Sequence, residues 1–170
     1  MPATEPKQVD VGVHVRVAAA RLSELAAEVR AGGDETALER LIVKGLTRYY
    51  HGVDDDARRA LAAAEPPLTG TVWDAVIAAT VEHVCTTHGD DVPPWTQTPG
   101  RFLKRPWVYR RGPIERGTAL ANAPAAFIRH NTFVEPRNLD GRGGERHVWA
   151  PHESAASRAV RSPEREAEAG

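Results

Sequence analysis

The chain has 170 residues, with 22 Lys and Arg against 23 Asp and Glu and a formal net charge of −1. Such a length suits one domain or a small module joined to a second, and Leu, Ile, Val and Phe supply only about one residue in five, so a thin core that a second subunit helps to complete is expected. No run approaches the ~18 apolar residues of a membrane span, residues 1–10 lack the apolar stretch of a signal peptide, and the single Cys85 excludes an internal disulfide and a cysteine-rich zinc site, which together make a soluble cytoplasmic protein the simplest expectation.

Residues 1–8 carry two prolines and read as a loose leader. Val9, Val11, Val13, Val15 and Val17 then alternate with Asp10, Gly12, His14 and Arg16. A β-branched residue at every second place predicts a half-buried strand of about five to seven residues ending near Val17. The competing reading is a helix already begun, because Val11, Val15, Ala18, Leu22, Leu25 and Val29 also fall at helical spacing. Ala18 to Ala31 predicts a helix closed by Gly32-Gly33. Asp34 caps the next helix, Glu35 to Tyr50, with Leu38, Leu41, Ile42, Gly45, Leu46 and Tyr49 as its buried stripe.

Asp54 to Asp56 caps a short Ala-rich helix that Pro66-Pro67 stops, and Thr71 with Asp74 opens a helix running to His88. After a turn-rich loop, Thr98-Pro99 starts a short turn holding Phe102 and Leu103. Trp107 to Tyr109 reads as a short extended piece, and Asn122 with Pro124 starts a helix through Phe127 and Ile128. The composition beyond residue 139 predicts a disordered tail. The expected fold is therefore mainly α: a leader (1–8), a short strand with a helical hairpin (9–52), a small helical, loop-rich domain (53–139) and a tail (140–170).

The order strand, helix, two-glycine turn and helix resembles the ribbon-helix-helix family of bacterial antitoxins and repressors. The second helix, Glu39-Arg40-Leu41-Ile42-Val43-Lys44-Gly45-Leu46-Thr47-Arg48-Tyr49, carries the paired apolar residues, small residue, Leu and aromatic of that family. The resemblance implies a homodimer whose paired strands enter the DNA major groove, with the valines turned inward and Gly12, His14 and Arg16 facing operator DNA. Arg16 could bond a guanine with both arms. Two features depart from the pattern: Asp34-Glu35 open the second helix, where a phosphate would be repelled, and residues 1–51 are neutral rather than basic.

Charge elsewhere is segregated, with two bases and eight acids over residues 52–97 against ten bases and four acids over 98–150. Either an acidic partner or an internal pairing of the two segments is implied. The run Pro93-Pro94-Trp95, Pro99-Gly100-Arg101-Phe102-Leu103, Pro106-Trp107 and Pro124-Ala125-Ala126-Phe127 resembles the C-terminal part of uncharacterised actinobacterial proteins associated with nucleotidyltransferase-type toxins. Tryptophans on short proline-bounded segments suit an interface anchor. Trp95, Trp107 and the neighbouring Arg101, Arg105, Arg110 and Arg111 are therefore the expected partner-binding set; the alternative is that the aromatics form the core of this unit.

Catalytic and metal motifs are weak. Cys85 and His88 share a helical face but His83 points elsewhere, and the aspartate runs at 54–56 and 90–91 read as caps. The glycine pairs lack a phosphate-loop context, and no serine sits in a nucleophile elbow. No cofactor, metal or catalytic residue is expected. The leading expectation is a non-enzymatic antitoxin-like or regulatory protein that dimerises, contacts operator DNA and holds a toxin-like protein partner. The alternatives are a helical interaction module with no DNA role, and a small enzyme with a site between the acidic and basic segments.

Overall fold

The computed structural model describes residues 11–109 and 112–139. The leader, Val9 and Asp10, Arg110 and Arg111, and the tail from residue 140 lie outside the described residues. What is described is mainly helical, as expected, but its first element corrects the sequence reading. Residues 11–17 are not a strand: they open helix α1, Val11–Arg30. Nothing between Val13 and Ala31 breaks a helix, and the stretch runs straight into Ala18-Ala19-Ala20. Extending a formed helix adds one hydrogen bond per residue fixed, whereas a β-branched residue costs less than about 0.7 kcal/mol there. A strand would need a second strand to satisfy its amides, and the described residues offer none beside it. The helical spacing of Ala18, Leu22, Leu25, Ala26 and Val29, all buried, decides the outcome.

Gly32, at φ +79°, ends α1, and Asp34 caps α2 (Glu35–Glu39) by accepting from the amides of Thr36 at 2.9 Å and Ala37 at 3.3 Å. The helix then widens into a π-helical stretch, Arg40–Gly45, before continuing as α3, Leu46–Gly52. A π turn absorbs one extra residue. The buried stripe therefore moves one place later than the plain periodicity predicts: Ile42, Val43, Leu46, Thr47 and Tyr50 are buried, while Leu41 is exposed and Tyr49 only half-buried. The Thr47 hydroxyl donates to the Val43 carbonyl at 2.6 Å within this widened turn.

Helix α4, Asp55–Ala63, is capped by Asp54, which accepts from the Ala57 amide at 2.9 Å, and it packs along α1. The guanidinium of Arg30 donates to the Leu68 carbonyl at 2.8 Å and ties the end of α1 to the following loop. Helix α5, Trp73–His88, is the axis of the fold, burying twelve of its 16 residues. One continuous core runs from Ala18 through α5 to Leu139 and so crosses the expected boundary near residue 52.

Beyond α5, 3-10 turns at Pro94–Gln97 and Pro99–Arg101 lead to strand β1, Trp107–Val108. Helices α6 (Pro113–Asn122) and α7 (Ala125–Arg129) return the chain to β2, Thr132–Phe133, which pairs parallel to β1 with Trp107 opposite Thr132. Asn131, at φ +59°, makes the turn into β2, and its side-chain amide donates to the Leu103 carbonyl at 3.1 Å. Of the ten residues of α6 only Ala119 is buried.

Candidate functional site

The tryptophan and arginine segment divides between core and surface. Trp95 is buried, its indole N–H donating to the Ala62 carbonyl at 2.8 Å. Arg101 is fully buried, lies 4.9 Å over the Trp95 ring and donates to the Pro66 carbonyl. Asp74 stands 3.9 Å from Nη1 and Glu65 3.8 Å from Nη2. Burial pushes the guanidinium below its ordinary pKa, and those two carboxylates oppose the shift. Trp107 is half-buried, edge-on to Trp73 at 5.4 Å. Of the expected partner-binding set, then, Trp95 and Arg101 hold the domain together, Trp107 is shared with the core, Arg105 is on the surface, and Arg110 and Arg111 lie outside the described residues.

Beneath Arg101 runs a polar network that the sequence reading missed. Glu82, in the buried middle of α5, accepts from Gln97 at 3.0 Å and from Arg129. The His130 ring is fully buried and stacked on Phe102 at 4.6 Å. Its Nδ1 faces the Arg101 carbonyl at 2.8 Å; a carbonyl only accepts, so Nδ1 carries the proton there. Nε2 then shares one proton with Glu82 Oε2 at 2.8 Å. Burial pushes the imidazole below its ordinary pKa and Arg129 acts in the same direction, while the bond to the Arg101 carbonyl opposes them. These side chains come from α5, two turns and the end of α7. The only local signal is a glutamate set among apolar neighbours on a helix too hydrophobic to be a surface one.

A second polar cluster lies where α3, α4 and the end of α5 meet. Arginine only donates, so Arg58 Nη1 gives its proton to His88 Nδ1 at 2.8 Å. His88 therefore holds its proton on Nε2 and donates to His51 Nδ1 at 2.6 Å. The buried Tyr50 hydroxyl donates to Asp90 at 2.7 Å, with the Cys85 sulfur 3.4 Å away. Burial, then these two neighbours, raise the Tyr50 pKa, and burial raises that of the Cys85 thiol. The His83 ring packs 5.9 Å from Phe127 instead, so His83, Cys85 and His88 do not converge. Among the described residues no group of three or more His, Cys, Asp and Glu side chains is placed to hold a metal ion.

The residues assigned to DNA are redistributed by the helix. Gly12, His14 and Arg16 are all exposed, but 100° per residue sets Gly12 and Arg16 on one face and His14 on another, so the alternating row of a ribbon is absent. Val13 and Val17, 43% and 48% exposed, form a row of their own. On α6, Ile114 is 83% exposed, and Leu120 and the α7 residue Ile128 are about half exposed.

Fold and site together define a helical domain that keeps charged and polar groups inside and turns apolar side chains outward on α1, α6 and α7. Among the described residues no helix is long and apolar enough to cross a membrane. No family model matches the chain, and no curated protein or solved structure matches it either.

Proposed function

We propose that this chain is a non-enzymatic interaction module of the antitoxin-like or regulatory kind, which holds a protein partner and assembles with a second copy of itself. The observation that carries the reading is α6: a helix of ten residues that buries only Ala119 and leaves Ile114 almost wholly in water. Exposed apolar side chains on a helix so lightly attached to its own domain suit a partner's surface. Arg116 on the same helix and Lys104 and Arg105 on the loop before β1 are exposed as well, which favours a partner of acidic character. DNA is not part of this reading, because the ribbon that would have carried Gly12, His14 and Arg16 into a groove is a helix.

The test is co-purification from the cells that make the protein, with the natural chain beside an Ile114→Asp, Leu120→Asp variant. A stoichiometric protein partner held by the natural chain and lost from the variant is the expected result. Both chains eluting alone, or both retaining the partner equally, overturns the assignment to α6. A mobility-shift assay at low salt with the gene's upstream DNA should show no retarded band.

A further inference from the structure

The π-helical stretch Arg40–Gly45 holds one residue more than ordinary helix needs, and the Leu46 amide donates to the carbonyl of Leu41, five residues back, as well as to that of Val43. Were the stretch to rewind as α-helix, each residue beyond it would advance one place and turn by about 100°. The side chains tolerate that exchange almost throughout. Tyr49 would stand in the place of Tyr50, Leu46 in that of Thr47, and Leu41 with Ile42 in those of Ile42 and Val43. All four places are buried in the present register, and each would receive the same side chain or one at least as apolar.

The exception is Gly45. Leu46 is 1% exposed and fills a core place that Gly45 would leave empty, and this single mismatch favours the present register. Gly45 also suits the widened turn itself, since a Cβ there would stand 3.2 Å from the Arg40 carbonyl, tighter than ordinary van der Waals contact. At the far end the bonds from Tyr50 to Asp90 and from His88 to His51 hold α3 in its present setting. Beyond them Gly52 is exposed, with nothing within 4 Å of a Cβ built on it, so the joint at Gly52 and Val53 has room to take up the displaced residue.

We infer that the helix from Glu35 to Gly52 is a two-register device. In the present register Tyr50 meets Asp90; in a minor one, wound as α-helix throughout, Tyr49 meets it instead. The change hides Leu41, now 43% exposed, turns Val43 outward and parts His51 from His88. A ligand that touches Leu41 or the paired imidazoles in one register only shifts the balance toward that register. Gly45 beside Leu46 is the latch.

Gly45→Leu should tip the balance, because the leucine crowds the Arg40 carbonyl in the widened turn and fills the emptied core place in the rewound one. In the natural chain Tyr50→Phe should weaken the folding equilibrium in urea about five- to thirtyfold and Tyr49→Phe less than about threefold; in the Gly45→Leu chain that order should reverse. Thiol labelling separates rewinding from unfolding, with the natural chain, whose Cys85 is buried, as the blank. When Gly45→Leu is added, Leu41→Cys should react at least about tenfold more slowly and Val43→Cys at least about tenfold faster. Gly45→Ala should move all these quantities in the same direction by less, and it carries the test if the leucine variant does not fold. Tyr50→Phe remaining the damaging substitution in the glycine variants, or both cysteines reacting faster together, overturns the proposal.

Discussion

Helices α5 and α6 lie a short distance apart in the chain and obey opposite rules. Helix α5 buries Asp74, Thr80 and Glu82 along with its apolar residues, and α6 leaves Ile114 and Leu120 in water. Hydropathy does not sort them; partners do. Asp74 accepts from the amides of Thr69 and Gly70 at 2.8 Å each, and Glu82 accepts from Gln97 and Arg129 and shares a proton with His130 Nε2, so these two buried carboxylates have their hydrogen-bond partners within the chain. A buried polar group is tolerable when satisfied. Among the described residues the apolar side chains Ile114 and Leu120 of α6 have no comparable cover.

The contrast breaks most sharply at Glu82. Glu82→Ala strands the buried His130 and removes the acceptor of two further side chains, and a loss of about 3–5 kcal/mol in unfolding free energy is expected from urea denaturation. A loss below about 1 kcal/mol would mean that the network is not holding α5 to α7. Next comes Tyr50→Phe, which deletes one buried hydroxyl and leaves Asp90 without that donor; about 1–2 kcal/mol of destabilisation is expected in the same measurement.

Acid provides a graded version of the same experiment. Burial holds the folded His130 below its ordinary value of 6.5, so the neutral ring is the form the fold prefers. As the pH drops below about 6.5 the unfolded chain binds a proton that the folded chain resists, and stability falls. Urea midpoints measured downward from neutral pH should show the decline, and His130→Gln should flatten it. A natural chain that gains stability in that window contradicts the shift. The smallest effect belongs to α6: Ile114→Ser should change the melting free energy by no more than about 0.5 kcal/mol, because the side chain is already in water. A larger loss would place α6 among the elements that hold the domain together.

Local chemistry was legible where it acts within a few residues. The Gly32 stop, the Asp34 and Asp54 caps, the helix to His88, the turn at Thr98-Pro99 and the extended pair Trp107–Val108 all stand where the sequence puts them. The valine alternation failed because a period of two means a strand only if another strand arrives to pair with it, whereas the Ala-rich continuation needs no partner. Helix α6 escaped notice because its Ile114, Thr118 and Leu120 make no apolar stripe of the kind a core demands. The network around Glu82 joins residues up to 48 positions apart, and no spacing rule reaches across that distance. Trp95 and Arg101 carried the look of an interface, yet an arginine with a ring beneath it, the Pro66 carbonyl in front of it and two carboxylates within 4 Å can sit fully inside.

The widened turn at Arg40–Gly45 gives this chain an unusual tolerance to length. A gene shortened by one codon there would close the loose turn into ordinary helix, and everything downstream would keep its bearing, Tyr50 still meeting Asp90 and His51 still meeting His88. The same single-codon loss placed after Gly45 would swing both side chains roughly 100° about the axis and uncouple them from their mates. Two deletions a few letters apart in the gene would thus have opposite fates, one nearly silent and one ruinous.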